Sequence, residues 1–488
     1  MPPSTSGAVT LDGHSLSIAD VVAVARGNAP VALDPGALER VRKSRRAVET
    51  AVEQGQTIYG VNTGFGKLAH VRIPAEQARQ LQLNLIRSHA SGVGEPLPQD
   101  AVRAMMLLRA NVLARGTSGV RPVLPELLVE MLNARIHPTV PSQGSVGASG
   151  DLAPLSHLAL AMIGEGDVRV SKPITLEAKE GLAFVNGTQA QTGLAALLVT
   201  DAWTLWRSAH GAAAMSLEAV RGSPDPFDAR IHDARPHAWQ QRSAAVLRDL
   251  LAGSEIRESH RENDPRVQDA YSLRCTPQVL GAVGEGLAFA ERLVATELNA
   301  ATDNPLVFGD DVLSGGNFHG QPIALALDVI GIALTTLAGI AERRLERVVN
   351  PDLSSGLPAF LAREPGLESG FMTAQIAAAA LVADCRVLAT PASVQSVPTE
   401  GNQEDVVPMG MSAAWKAGRI LANAERIVAI ELLAGAQGLE FLKPLRPSTA
   451  VARLYAAVRS ESPALTGDRP LTKDIEQIAS RIRAGAFA

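Results

Sequence analysis

The stretch Gly144-Ser145-Val146-Gly147-Ala148-Ser149-Gly150-Asp151 sets three glycines at intervals of three around a small, hydroxyl-bearing centre. Glycine at that spacing frees the backbone where it must turn sharply. The simplest reading is a tight turn before a helix. A phosphate loop is excluded, because no Gly-Lys-Ser/Thr closes the stretch. A nucleophile elbow would need glycine where Asp151 stands. A third reading is cyclisation of the chain on itself. The Gly150 nitrogen, uncrowded by any side chain, attacks the carbonyl carbon of Ala148, and Ser149 loses its hydroxyl as water. The product is a methylidene-imidazolone (MIO) ring, an electrophile that no standard side chain supplies. Strained backbone is its expected setting.

The elements around this stretch must hold it still. Asp151 reads as an N-cap, Pro154 falls early in a helix that runs to Ile163, and Gly164 ends it. The loop then lies at a positive helix terminus. A second glycine-rich loop, Gly55 to Lys67, carries Tyr59, one of only three tyrosines (with Tyr271 and Tyr455). Periodicity predicts helices at 75–90, 98–115, 188–221, 276–300, 320–347, 371–391 and 410–440. In one of them Leu280, Val283, Leu287, Val294 and Leu298 recur at helical spacing. The helix 320–347 is apolar nearly all round, which predicts burial in a bundle or at a subunit interface. The fold class expected is mainly α. Residues 1–187 form a mixed N-terminal domain carrying the ring-forming loop, and residues 188–488 an elongated helical bundle.

The whole chain sets limits. Its 488 residues, 46% hydrophobic and 19% charged, make an ordinary globular balance with ample core. A net charge of −5 offers no basic field for nucleic acid. Met1 to Val9 shows no leader pattern, and the most apolar stretch, Ile330 to Ile340, is interrupted by Thr335 and Thr336 and reads as too short to span a bilayer. Two cysteines, Cys275 and Cys385, make no disulfide framework and fit a reducing cytoplasm. The ten histidines form no HExxH, so no metal site is expected. Gly64-Phe65-Gly66 lacks the third glycine of a dinucleotide loop, so no nucleotide is expected either.

The run GSVGASGDLAPLSHLAL at 144–160 resembles the signature of the histidine and aromatic amino-acid ammonia-lyase and aminomutase family. Further similarity spans most of the chain: YGVNTGFG at 59–66, SHASGVGEPL at 88–97, KEGLAFVNGTQA at 179–190, VQDAYSLRC at 267–275, DNPLVF at 303–308, GGNFHGQPIA at 315–324 and GNQEDVVPMG at 401–410. The resemblance implies a carbon–nitrogen lyase that removes ammonia from an α-amino acid, using an MIO group formed from Ala148, Ser149 and Gly150. It implies Tyr59 as the base for the β-proton, with its pKa lowered by nearby positive charge or helix dipoles from the ~10 of a free phenol. Tyr271 is implied near the ring and the leaving amine, and Arg274 as a fork for the substrate carboxylate. Asn186 and Gln268 are implied as hydrogen-bond partners of the ring oxygen and the substrate's amino-acid end. Phe318 is implied as a pocket wall. It also implies a homotetramer with active sites shared between subunits, a small amino-acid partner and no membrane.

The substrate is read from two positions. His89, after Ser88, is similar to histidine-specific members and can bond an imidazole. Glu404 in Asn402-Gln403-Glu404-Asp405 stands where phenylalanine and tyrosine enzymes carry Gln. A carboxylate suits an imidazole N–H, whereas beside a phenyl ring it would be desolvated without a partner. The implied reaction is L-histidine to trans-urocanate. Val406 after Asp405, Gln321 and Arg87 are instead similar to aminomutases or tyrosine lyases, so a tyrosine or phenylalanine ammonia-lyase, or a tyrosine 2,3-aminomutase, is the alternative.

Overall fold

A computed structural model describes residues 7–262 and 264–488. The stretch read for a leader lies largely outside these residues. The protein is mainly α. Its only sheets among the described residues are three two-stranded pairs: Val9–Leu11 parallel to Val31–Leu33, Val93–Pro96 antiparallel to Pro141–Gln143, and Leu306–Phe308 antiparallel to Asp311–Leu313.

Two compact units are present. The first runs through Leu198 and takes in Ala290–Asp328 and Pro391–Trp415; the second comprises Val199–Phe289, Val329–Thr390 and Lys416–Ala488. All three strand pairs lie in the first. Its centre is the helix Gln99–Ala114, buried at every residue from Ala101 to Ala114. Such a helix has no solvent face on which to put charge, so its buried Arg103 and Arg109 must spend their donors on carbonyls. Arg103 bonds the Val24 and Leu132 carbonyls, and Arg109 the Asn186 carbonyl at 3.0 Å. Helix starts obey local chemistry. Ser17 and Asp20 form a capping box, and Asp34 accepts from the Ala37 amide ahead of Pro35.

The second unit has no strand pair among its described residues and is built of helices joined by loops. Trp203, Trp206 and Trp239 pack edge-on or tilted, and Trp206 donates to the Leu280 carbonyl at 2.7 Å. A fully buried ion pair joins Arg344 to Glu431, with Ser216 donating to the same carboxylate.

The predicted long helices occur as Gln189–Ala219, Thr276–Glu297, Gln321–Val349, Met372–Leu388 and Gly410–Glu440. Two expectations change. The helix Gln321–Val349, at 29 residues, is by length and composition able to cross a membrane, although 67% of its most apolar window is buried inside the protein. It is also not buried all round: Leu325 (43%) and Ile332 (45%), two turns apart on one face, stay exposed. Asp151 precedes the helix Leu152–Met162 as expected but does not cap it. No side-chain cap bond forms, because its carboxylate is taken by Ser145 and Gln191.

Candidate active site

The loop of residues 55–66 is fastened so that neighbouring side chains face opposite ways. Ile58 and Val61 pack into a small apolar cluster with Val48, Ala51 and Val307. Asn62 accepts from the Ile58 amide at 2.8 Å, Thr63 from the Gly60 amide at 3.0 Å, and Gln82 donates to the Gly60 carbonyl. Tyr59 is thereby turned into a cavity of about 490 Å3. The Gly66 amide donates to the Tyr59 hydroxyl oxygen at 2.9 Å.

The cavity gathers most of the predicted site: Tyr59, His89, Ala148, Ser149, Asn186, Phe318 and Glu404 all line it. A larger hollow of about 720 Å3 lies behind the same loop, against Val48, Val61 and Asn62, and none of these residues reaches it.

The Ala148-Ser149-Gly150 tripeptide is held by its backbone. Gly150 pairs with Gly187, and the Asp151 amide donates to the Gly187 carbonyl at 2.7 Å. Gly150 has φ +78°, and a Cβ there would run into the Gly187 backbone, so only glycine fits. Asn186 Nδ2 donates at 2.7 Å to the Ser149 carbonyl oxygen, the oxygen that a ring would retain. Its Oδ1 is buried with no hydrogen-bond partner. The residues therefore fit the MIO group: a glycine nitrogen without crowding, a buried alanine beside it, and a donor already on the retained oxygen.

Asp151, absent from the sequence-derived site, is fully buried beside this tripeptide. It accepts from Ser145 Oγ (3.0 Å), the Gln191 amide (2.9 Å) and Gln191 Nε2 (3.2 Å). Burial pushes its carboxyl up to about 6 against the pull of these donors.

The electrostatics around Tyr59 run against expectation. Burial pushes the phenol above its ordinary value, the Gly66 amide pulls it down, and Glu400 and Glu404 push it up again. Among the described residues no cation lowers it; the charged groups acting on it are carboxylates. Glu400 was not foreseen. It lines the cavity in the left-handed region (φ +49°), followed by Gly401 (+62°) and Asn402 (+65°). Its carboxyl is raised by burial and by Glu404. The signal in the sequence was only a second Glu four residues before Glu404.

His89 Nδ1 lies 2.9 Å from the Leu85 carbonyl. A carbonyl only accepts, so Nδ1 carries the proton and Nε2 keeps a lone pair. Burial pushes this imidazole down, with Glu404 opposing. Glu404 takes a hydrogen bond from Thr399 Oγ1 at 2.6 Å.

Four predicted residues are not in this lining: Gly150, held against Gly187, and Gln268, Tyr271 and Arg274. The last three belong to the second unit, where Gln268 and Arg274 line a separate hollow of about 360 Å3. Tyr271 is 71% exposed, with the Arg274 guanidinium 4.7 Å from its ring centre. Arg274 Nε is buried without a partner. Two of the aminomutase-like residues also lie outside the lining: Gln321 donates to the Ser393 carbonyl, and Arg87 makes a two-pronged pair with Glu165.

A family described as aromatic amino acid lyase matches residues 16–460. The chain is 50% identical to a histidine ammonia-lyase of Koribacter versatilis, covering 99% of each chain. It is 50% identical to one of Myxococcus xanthus, covering 98% of this chain and 97% of the relative. Among solved structures, histidine ammonia-lyase from Trypanosoma cruzi is 43% identical with a TM-score of 0.90, covering 98% of this chain and 94% of that one. Tyrosine aminomutase from Streptomyces globisporus is 42% identical with a TM-score of 0.92, covering 98% and 97%.

Proposed function

The chain belongs to the aromatic amino acid lyase family, and from that premise we propose that it removes ammonia from L-histidine to leave trans-urocanate. The observation that carries the substrate is the pairing of His89 and Glu404 in one cavity. Nε2 of His89 and the free oxygen of Glu404 are both acceptors, which suits an imidazole with N–H groups and leaves a phenyl ring facing an unpaired carboxylate. Of the aminomutase-like residues only Val406 lines the cavity, so the alternative loses most of its support.

The MIO group would form from Ala148, Ser149 and Gly150, with Asn186 on its oxygen and Asp151 as the neighbouring proton acceptor. Once formed, it supplies the electrophilic pull that lets the amine leave. Tyr59 takes the β-proton at its hydroxyl oxygen, and the Gly66 amide steadies the phenolate. Phe318 walls the pocket. Gln268, Tyr271 and Arg274 act on the substrate of a neighbouring subunit, Arg274 as the carboxylate fork. This needs the homotetramer that the resemblance implies. The exposed Leu325 and Ile332 and the exposed Tyr271 favour such an assembly. The two free thiols, Cys275 and Cys385, suit a cytoplasmic enzyme.

The test is ultraviolet absorbance of purified protein given L-histidine, L-tyrosine and L-phenylalanine separately. A urocanate band should grow with histidine alone, and Glu404→Gln should abolish most of it. A coumarate or cinnamate band instead overturns the substrate.

A further inference from the structure

Gln191 lies near the start of the helix Gln189–Ala219 and is fully buried. Three glycines from separate stretches crowd its carboxamide: a Cβ built on Gly147, Gly320 or Gly410 would press on it. Gly320 and Gly410 have ordinary backbone angles, so what their missing side chains provide is room for Gln191. The slot is unfavourable for an amide. Gln191 Oε1 is buried with no partner, a desolvation cost that an apolar side chain of the same shape would not carry. What offsets it is the other end: Nε2 and the backbone amide both donate to Asp151, at 3.2 and 2.9 Å.

We infer that Gln191 is a positioning residue for ring formation, its carboxamide fixing the Asp151 carboxylate as the proton acceptor for cyclisation of the adjoining tripeptide. The inference rests on the ring-forming reading given above. The step balances without any oxidant. A bond forms between the Gly150 nitrogen and the Ala148 carbonyl carbon, and the Ala148 oxygen leaves as water with the amide protons of Gly150 and Ser149. The Ser149 hydroxyl leaves as a second water with the Ser149 α-proton. A carboxylate is needed to carry these protons from nitrogen and carbon to the leaving oxygens.

The groups facing Asp151 are Ser145, the amides of Ala190 and Gln191, and the Gln191 carboxamide; no charged group is among them. Its ionised form therefore depends on hydrogen bonds alone. Removing Nε2 raises a carboxyl that burial already pushes up to about 6, and so removes acceptor at neutral pH.

The experiment follows intact mass in chains released from cell-free synthesis and quenched at intervals, across a pH series, with circular dichroism as the check on folding. Wild type should lose the mass of two waters. Gln191→Met should fold but lose it roughly ten-fold more slowly near neutral pH, recovering as pH rises. Gly320→Ala pushes a methyl into the carboxamide from the other side and should show the same delay, which keeps the test alive if the Met variant does not fold. A modified wild type beside variants that mature at its rate at every pH overturns this inference alone. A wild type of unmodified mass overturns the ring reading and this inference with it.

Discussion

Tyr59 must lose a proton to act as a base, yet its own chain resists that loss. Burial and the carboxylates of Glu400 and Glu404 push its phenol up, and among the described residues the Gly66 amide is the one group pulling it down. The sign for Glu400→Gln follows. Removing a negative charge lowers the phenol's pKa, so the rising limb of kcat/KM against pH should move to lower pH. A steady-state pH profile reads this directly. A limb that stays in place, or moves up, means that Glu400 does not act on Tyr59. Glu400 was barely legible in sequence, marked only by its place four residues before Glu404; three successive left-handed residues place it. Glu404, His89 and the tripeptide were legible because their motifs are long and unusual. Within one chain burial and carboxylates raise the Tyr59 phenol where a lowering was expected, because a motif names a base but says nothing of the charges around it.

At the scale of elements, the loop of residues 55–66 works by having no side chain where it is tightest. Gly66 has φ +49°, and a Cβ there would overlap the Glu400 carboxylate. Gly66→Ala adds about 1–2 kcal/mol of left-handed strain and must also displace Glu400. Its amide is the donor to Tyr59, so the cost falls on catalysis. We expect kcat/KM to fall roughly 10- to 100-fold while the thermal midpoint moves by only a few degrees. Kinetics and a melting curve on one preparation check this; a large drop in midpoint with kcat/KM intact would reverse the assignment. The long helices were legible from apolar periodicity, as Leu280, Val283 and Leu287, all buried, illustrate. Three-residue strands such as Pro141–Gln143 were not, since so short a run carries no period. Nor does periodicity reveal that residues 290–328 and 391–415 rejoin the first unit. That return brings Phe318, Glu400 and Glu404 to the cavity, and it is set by packing between stretches far apart in sequence.

At the scale of the whole molecule, one chain's cavity has the proposed base, the proposed imidazole pocket and part of the proposed ring-forming loop but, among the described residues, no arginine. Its carboxylates are Glu400, Glu404 and Asp405, with the imidazoles of His89 and His319 beside them. An amino-acid carboxylate entering it would meet like charge. Arg274 meanwhile lies outside that lining, with a buried Nε that has no partner, beside an exposed Tyr271. If subunits share sites, each cavity borrows its carboxylate fork, and two defective chains should repair one another. Tyr59→Phe lacks the base and Arg274→Gln lacks the fork, so each homo-oligomer should lose activity by at least ~100-fold. Co-expressed in equal amounts under separate affinity tags, they form mixed oligomers. A site is whole when the subunit giving Tyr59 and the subunit giving Arg274 are both intact at those positions, which random assembly provides at about one site in four. Histidine turnover by doubly tagged oligomers should therefore recover to roughly that share of wild type. Oligomers that assemble but stay as inactive as either parent would mean that Arg274 serves no neighbouring site, and the cavity would have to find its cation within its own chain.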